Sequence, residues 1–269
     1  MDVSTALNAI SALTIHGLFT DSGGTNSPII LHRTVAPLDL VPFLNLVAGG
    51  VRDDKPPKPY IPRPPSTLPE PGDLHVHLIF GEKKGWGRSS FVHEVNISRQ
   101  RLFQPIFLPL FSRSHDLKRR AEIAREAWFY DELECLQGVV LPRCYGWFEA
   151  ELAEGQSFDH WTRATGRSSE TENSNPEWRF KGSKQLTEMS DSRNYVSVLL
   201  LEKLGDTLPI GVPLADDLVK GIYGMYGEVA ELGAEHRDIR YFNILAAPKA
   251  RLHSQACLPH SLVAYIHIA

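Results

Sequence analysis

The sequence predicts an α+β fold, an antiparallel sheet carrying one packed helix and leading into the start of a second, helical layer. Three observations predict it. Residues 74–95 alternate apolar and polar side chains about a glycine-bearing turn, the pattern of a hairpin with one buried face. Leu117, Ala121, Ala124 and Trp128 recur at spacings of four, three and four, and Leu133 and Leu136 extend the stripe, so 117–136 is expected to be an amphipathic helix. Leu218, Ile222, Met225, Val229 and Leu232 repeat the same spacing over 215–234.

Along the chain, residues 1–54 mix short apolar stretches with Ser and Gly, and are expected to pack poorly around a short helix at 38–47. Residues 55–72 (KPPKPYIPRPPSTLPEPG) are dense in proline and read as an extended linker. Such a preset extended segment also suits an aromatic-lined groove on a protein partner. From 73 to 269 the pattern is that of one domain. His75–Phe80 and Phe91–Val95 form the hairpin, and Ile106–Phe111 is a third short strand. Pro109 removes an amide donor there, which marks an edge or broken strand. Residues 139–148 return to strand character after the first helix. Residues 153–193 are rich in Ser, Glu, Thr and Asn and read as a polar insertion, extended or irregular over most of 155–190. Residues 195–201 form a continuous apolar strand, and Gly221, Gly224 and Gly227 weaken the second helix.

Composition narrows the function classes. The chain has 269 residues, 42% of them hydrophobic and 22% charged, with a net charge of −4, which gives no electrostatic footprint for nucleic acid or an anionic membrane. The three cysteines, Cys135, Cys144 and Cys257, are too few for a disulfide framework and fit a reducing compartment. No uncharged apolar run approaches the ~18 residues of a spanning helix. The N-terminus lacks the basic start of a signal peptide, so an intracellular location, cytoplasmic or nuclear, is expected.

The chemistry is concentrated in His236-Arg237-Asp238-Ile239-Arg240-Tyr241-Phe242-Asn243. An aspartate in this pattern takes the proton of an attacking hydroxyl, and an asparagine five residues on holds magnesium on the phosphates. The pattern H-R-D-x-x-x-x-N is the catalytic-loop signature of protein kinases. Gly85-Trp86-Gly87-Arg88-Ser89-Ser90-Phe91-Val92 reads G-x-G-x-x-S-x-V, close to the kinase glycine-rich loop, with Ser90 at the third glycine. The order of hairpin, strand, helix, two strands, helix and catalytic loop is that of a kinase small lobe followed by the first large-lobe helix. More narrowly, AREAWFYDELECLQGVVLPRCYGWF (124–148), LLLEKLGDTL (199–208) and EHRDIRYFNILAAP (235–248) resemble a fungal group of kinase-like proteins.

The resemblance implies a role for each matching residue. Asp238 would orient and deprotonate the acceptor hydroxyl, Arg240 would neutralise the transferring phosphoryl, and Asn243 would hold Mg2+. His236 would pack the loop, and Arg237 would contact a phosphorylated activation loop. Gly85, Gly87, Ser90 and Val92 would cover the nucleotide. Backbone groups near Glu202 and Leu204 would take the adenine beside Leu201. Glu126 fits the helix glutamate, with Glu132 second and an exposed helix charge the alternative. ATP and Mg2+ are the implied cofactors. Against activity, 104–111 contains no lysine to position the phosphates, and Lys118 comes where the helix already starts. The chain also ends 26 residues past Asn243, at an apolar run (261–269) that would precede Asp-Phe-Gly, so a C-terminally truncated domain is expected.

The expectation is therefore a kinase-like domain with a partial ATP-binding cleft, catalytically impaired as a pseudokinase or truncated kinase. One alternative is an active phosphotransferase acting on protein Ser/Thr or a small-molecule hydroxyl. The other is a non-catalytic interaction module, reaching a protein partner through 55–72 or through the exposed large-lobe helix. His253, Cys257 and His260 lie close in sequence, but structural zinc takes four such ligands, so no zinc is expected there.

Overall fold

The computed structural model describes residues 8–37, 66, 68–86, 91–97, 106–111, 119–156, 183–191, 195–202, 204–205, 208, 211–232, 244–246 and 264–266. The fold is α+β, with a mostly antiparallel sheet and few helices. Its strands are β1 (Ile10–Thr20), β2 (Asn26–Thr34), β3 (Leu74–Trp86), β4 (Phe91–Ile97), β5 (Ile106–Phe111), β6 (Cys144–Glu151) and β7 (Tyr195–Glu202). They close into a barrel in the order β1-β2-β6-β7-β5-β4-β3. Helix α1 (Arg119–Glu132) runs between β5 and β6, α2 (Lys184–Asp191) precedes β7, and α3 (Asp216–Glu231) follows it. A separate two-stranded ladder joins β8 (Ile244–Ala246) to β9 (Ala264–Ile266). Among the described residues no helix is long and apolar enough to cross a membrane.

The N-terminal region is the main correction to the sequence reading. Residues 1–54 were expected to pack poorly, yet β1 and β2 complete the barrel. Leu13, Ile15, Phe19 and Leu31 are fully buried, in one cluster with Leu78, Val95, Phe148, Val198 and Leu200. The physical reason is closure. β1 lies antiparallel to β2 and parallel to β3, with Leu13 opposite Val76 and Ile15 opposite Leu78, and this leaves the sheet no free edge. Gly17 (φ 80°) sits where the β1–β2 register slips between Ile15 and Phe19, a bulge that L side chains seldom tolerate. The segment 38–47 lies outside the described residues.

The end of the proline-rich segment is tied to this hairpin. The Gly72 amide donates to the Asn8 carbonyl at 2.8 Å and the Leu74 amide to that of Ala9 at 3.0 Å. A Cβ on Gly72 would stand 2.6 Å from the Ala9 carbonyl oxygen, so glycine is required by close approach. The Ser66 hydroxyl donates to Glu134, and the Asn8 side chain donates to the Pro69 carbonyl. Residues 51–65 lie outside the described residues.

Pro109 was expected to mark an edge or broken strand. β5 is an interior strand, paired with β4 on one side and β7 on the other. The ladder to β7 runs Ile106↔Glu202, Phe107↔Leu201, Leu110↔Val198 and Phe111↔Ser197, and skips Leu108 and Pro109. The missing amide thus interrupts the pairing without moving the strand to an edge.

Helix α1 carries the expected stripe. Ala121, Ala124 and Trp128 are buried, as are Ile123, Ala127 and Tyr130, because α1 packs against α2 as well as against β6 and β7. Leu133 is buried beyond its end, where a 3-10 turn (Glu134–Leu136) closes the run. The strand expected over 139–148 begins later, at Cys144, since 138–140 form a turn. Within the polar insertion, 184–191 is a helix rather than irregular chain. Ser183 caps it by accepting the Leu186 amide at 3.0 Å, and Leu186 is fully buried. Residues 157–182 lie outside the described residues. In α3, Met225 and Val229 are buried and join the α1 core, while Tyr223 is 75% exposed. A Cβ on Gly221, Gly224 or Gly227 would meet nothing within 4 Å, so no close packing explains these glycines.

Candidate functional site

The end of β7 carries part of the expected cleft. Cys144 pairs with Leu201, which places Arg143 beside Glu202 at the end of the β6–β7 ladder. The Glu202 amide donates to the Arg143 carbonyl at 2.8 Å. Its carboxylate accepts the Arg143 amide at 3.2 Å and Arg143 Nη1 at 3.4 Å. Leu201, Glu202 and Leu204 are all buried. The Glu202 side chain and amide are therefore engaged in holding the strand end. Gln137 adds a second tie, accepting the Cys144 amide at 2.8 Å and donating to the Tyr130 carbonyl at 2.9 Å.

Glu126 is buried on α1, not an exposed helix charge. Burial, and then the Glu122 charge, push its carboxyl up to about 8, so it holds its proton at neutral pH. One turn on, burial and then the Glu126 charge raise the Tyr130 phenol well above its ordinary range. The Tyr130 hydroxyl and Trp147 Nε1 are buried without a hydrogen-bond partner among the described residues. Glu132 is half-buried.

A buried polar cluster that the sequence reading missed lies where α1 meets the sheet. Arg120 Nε and Nη2 donate to Glu149 Oε1 at 2.8 Å and Oε2 at 2.7 Å. Glu149 also accepts the hydroxyl of Ser197, its cross-strand partner on β7. The Arg120 guanidinium stacks 3.7 Å from the centroid of the Tyr195 ring. Nothing in the sequence pairs residue 120 with 149, because the contact depends on the β6–β7 register.

The other expected site residues divide. Gly85 lies within β3 and pairs with Val92 of β4, while Gly87 and Ser90 lie outside the described residues. Gly85 and Glu202 stand on strands with β4 and β5 between them. β5 reads IFLPLF, without a lysine, and Lys118 lies outside the described residues. Asp238, Arg240 and Asn243, with His236 and Arg237, also lie outside them. Their flanks are described. Ile244 of β8 is buried in the same cluster as Met225 and Val229 of α3.

Cys135 and Cys144 are free thiols. Burial, then Asp131, pushes the Cys144 thiol up to about 12, which leaves no thiolate for nucleophilic work. Cys257, His253 and His260 lie outside the described residues. Among the described residues no three His, Cys, Asp or Glu side chains already converge on a metal position. A comparison with models of known protein families gives no match, and neither does one with curated proteins.

Proposed function

We propose that this chain is a kinase-like domain with a partial ATP-binding cleft and impaired phosphotransfer. One observation carries the reading. The H-R-D-x-x-x-x-N segment lies between α3 and the short β8–β9 ladder, after a hairpin, a strand, a helix and two strands in the order of a kinase small lobe. The β8–β9 pairing, Ile244↔Ile266 through Ala246↔Ala264, also suits the strand expected just before Asp-Phe-Gly.

Two features support impairment. A phosphate-positioning lysine should come from the third strand of the small lobe and pair with an ionised helix glutamate. β5 supplies no lysine. Glu126 sits in a site that favours its protonated form, which cannot make that ion pair. Asp238, Arg240 and Asn243 would still approach the γ-phosphoryl group. The negative charge spread over that group in the transition state would then be only partly neutralised.

The test is a phosphotransfer assay with ATP and Mg2+ on protein and small-molecule acceptors, run beside nucleotide titration of the same chain. Weak binding with no turnover above that of Asp238→Asn is expected. Robust turnover that Asp238→Asn abolishes would establish an active phosphotransferase instead. Absence of any nucleotide binding would remove the cleft and leave an interaction module.

A further inference from the structure

We propose that His16, His75 and His77 form a surface site for a borderline divalent transition-metal ion of the zinc class. The site is created by the parallel pairing of β1 with β3, which sets Ala12 opposite His75, Thr14 opposite His77 and His16 opposite Ile79. Side chains of a strand alternate between faces, so His75 and His77 share the outer face of β3, and Thr14 and His16 share that of β1. His75 and His77 are exposed and His16 is half-buried. Their strand neighbours on this face include Ala12, Thr14, Ile30, His32 and Ile79, none of them a carboxylate, lysine or arginine.

The nitrogens are already near a ligating separation. His16 Nε2 and His77 Nδ1 lie 3.3 Å apart. Two nitrogen ligands at ~2.0–2.1 Å on one tetrahedral ion stand about 3.3 Å apart. Without metal one ring donates to the other along this edge, in a long N–H···N contact. With metal, the ring that donates moves its proton to its outer nitrogen, and both inner lone pairs become ligands with no change in ring charge. Neutral imidazole is the commonest metal ligand of proteins.

His75 supplies the third imidazole. Its ring stacks on that of His77 at 5.0 Å between centroids and 17°, while the His16 and His77 rings stand at 5.6 Å and 22°. The buried Thr14 hydroxyl stands 2.7 Å from His75 Nε2, a contact the ring gives up when it turns to bind. As placed, the three donors do not converge on one point. Binding requires the exposed His75 ring to turn and the His16 and His77 rings, whose nitrogens face each other, to tilt toward a common point. Three imidazoles and one water make an open tetrahedral set. The ion would bridge β1 and β3 across the parallel seam that closes the barrel.

The test is calorimetric titration of tag-free protein with ZnCl2, reversed with EDTA. One equivalent is expected for the wild type. His16→Ala and His77→Ala should each weaken binding at least ~10-fold, the scale that loss of a ligand-orienting group already reaches. His77→Gln, which keeps the volume, should do the same, with far-UV circular dichroism confirming the fold. His32→Ala, on the neighbouring strand of the same face, should bind as the wild type does. Zinc should raise the melting temperature of the wild type and not that of His77→Ala. No saturable uptake by the wild type, or uptake unchanged in both His77 variants, would overturn the proposal.

Discussion

Arg120 grips Glu149 with two parallel hydrogen bonds of 2.8 and 2.7 Å, joining the first turn of α1 to the middle of β6. Glu149 is 7% exposed, so breaking the pair strands a buried charge. Arg120→Met should cost ~3–5 kcal/mol in urea unfolding. Pairing it with Glu149→Met should recover much of that loss, since two apolar side chains leave no charge to solvate. A double variant no more stable than Arg120→Met would show that the pair is not the cause.

Glu126 should make stability fall with rising pH. Its carboxyl moves from the ordinary 4.5 to about 8 on folding, so between those values the folded state binds more protons than the unfolded chain. Stability from this group is fully present below 4.5, declines through the window and levels off above 8. The decline amounts to roughly 4–5 kcal/mol at most, at about 1.4 kcal/mol per tenfold change in proton affinity. Glu126→Gln should flatten the dependence, with a variant-to-wild-type difference that grows as pH rises from 4.5 to about 8. Parallel unfolding curves for the two proteins across that range would exclude Glu126 as the source.

The N-terminal hairpin should be part of the cooperative unit. Phe19 is fully buried in the barrel core. Phe19→Ala should cost ~3–5 kcal/mol through lost burial and the cavity left behind. Tryptophan fluorescence and far-UV circular dichroism should shift to the same lower midpoint. A transition unchanged from wild type would mean that β1 folds apart from the rest.

Glycines on two elements should respond in opposite directions. Gly221→Ala and Gly224→Ala should each raise stability by about 0.5–1 kcal/mol, because the helix loses chain entropy and the new methyl meets nothing. Gly146→Ala should lower it, by at least ~1–3 kcal/mol for the strained backbone. Its φ is 135°, and a Cβ would stand 3.0 Å from the Arg33 guanidinium carbon. That guanidinium donates to the Ile10 and Tyr145 carbonyls at 2.8 and 3.1 Å, so it has little room to move. Thermal midpoints of the three variants measure all of this.

The sequence was most legible where one periodicity had one cause. Ala121, Ala124 and Trp128 marked a buried helix face, and the run 195–201 marked a strand covered on both sides. β1 hid itself, because its outward Ala12 and Thr14 are also buried and the Gly17 bulge breaks the alternation. Helix α2 carried a readable cap, Ser183 three residues before Leu186, but only Leu186 and Met189 pack inward, so polar composition dominated. The Arg120–Glu149 pair and the three histidines could not be read at all. Each brings together residues from strands or helices whose register is set by the closed barrel, which no local pattern encodes.

Closing that barrel also sets an order of events. Thr14 and His75, which touch across the seam, are 61 residues apart in the chain. The far side of the hairpin waits longer still, because β2 pairs with β6 through His32↔Glu149. Emerging from a ribosome at ~5–20 residues per second, β1 and β2 would spend several seconds as a two-stranded ribbon with both edges bare. Such a ribbon is marginal alone and a template for other chains. The β1–β2 hairpin is thus made well before the strands that flank it, and crowding or a slowed elongation rate should send more of this chain into aggregates than a domain of local contacts would lose.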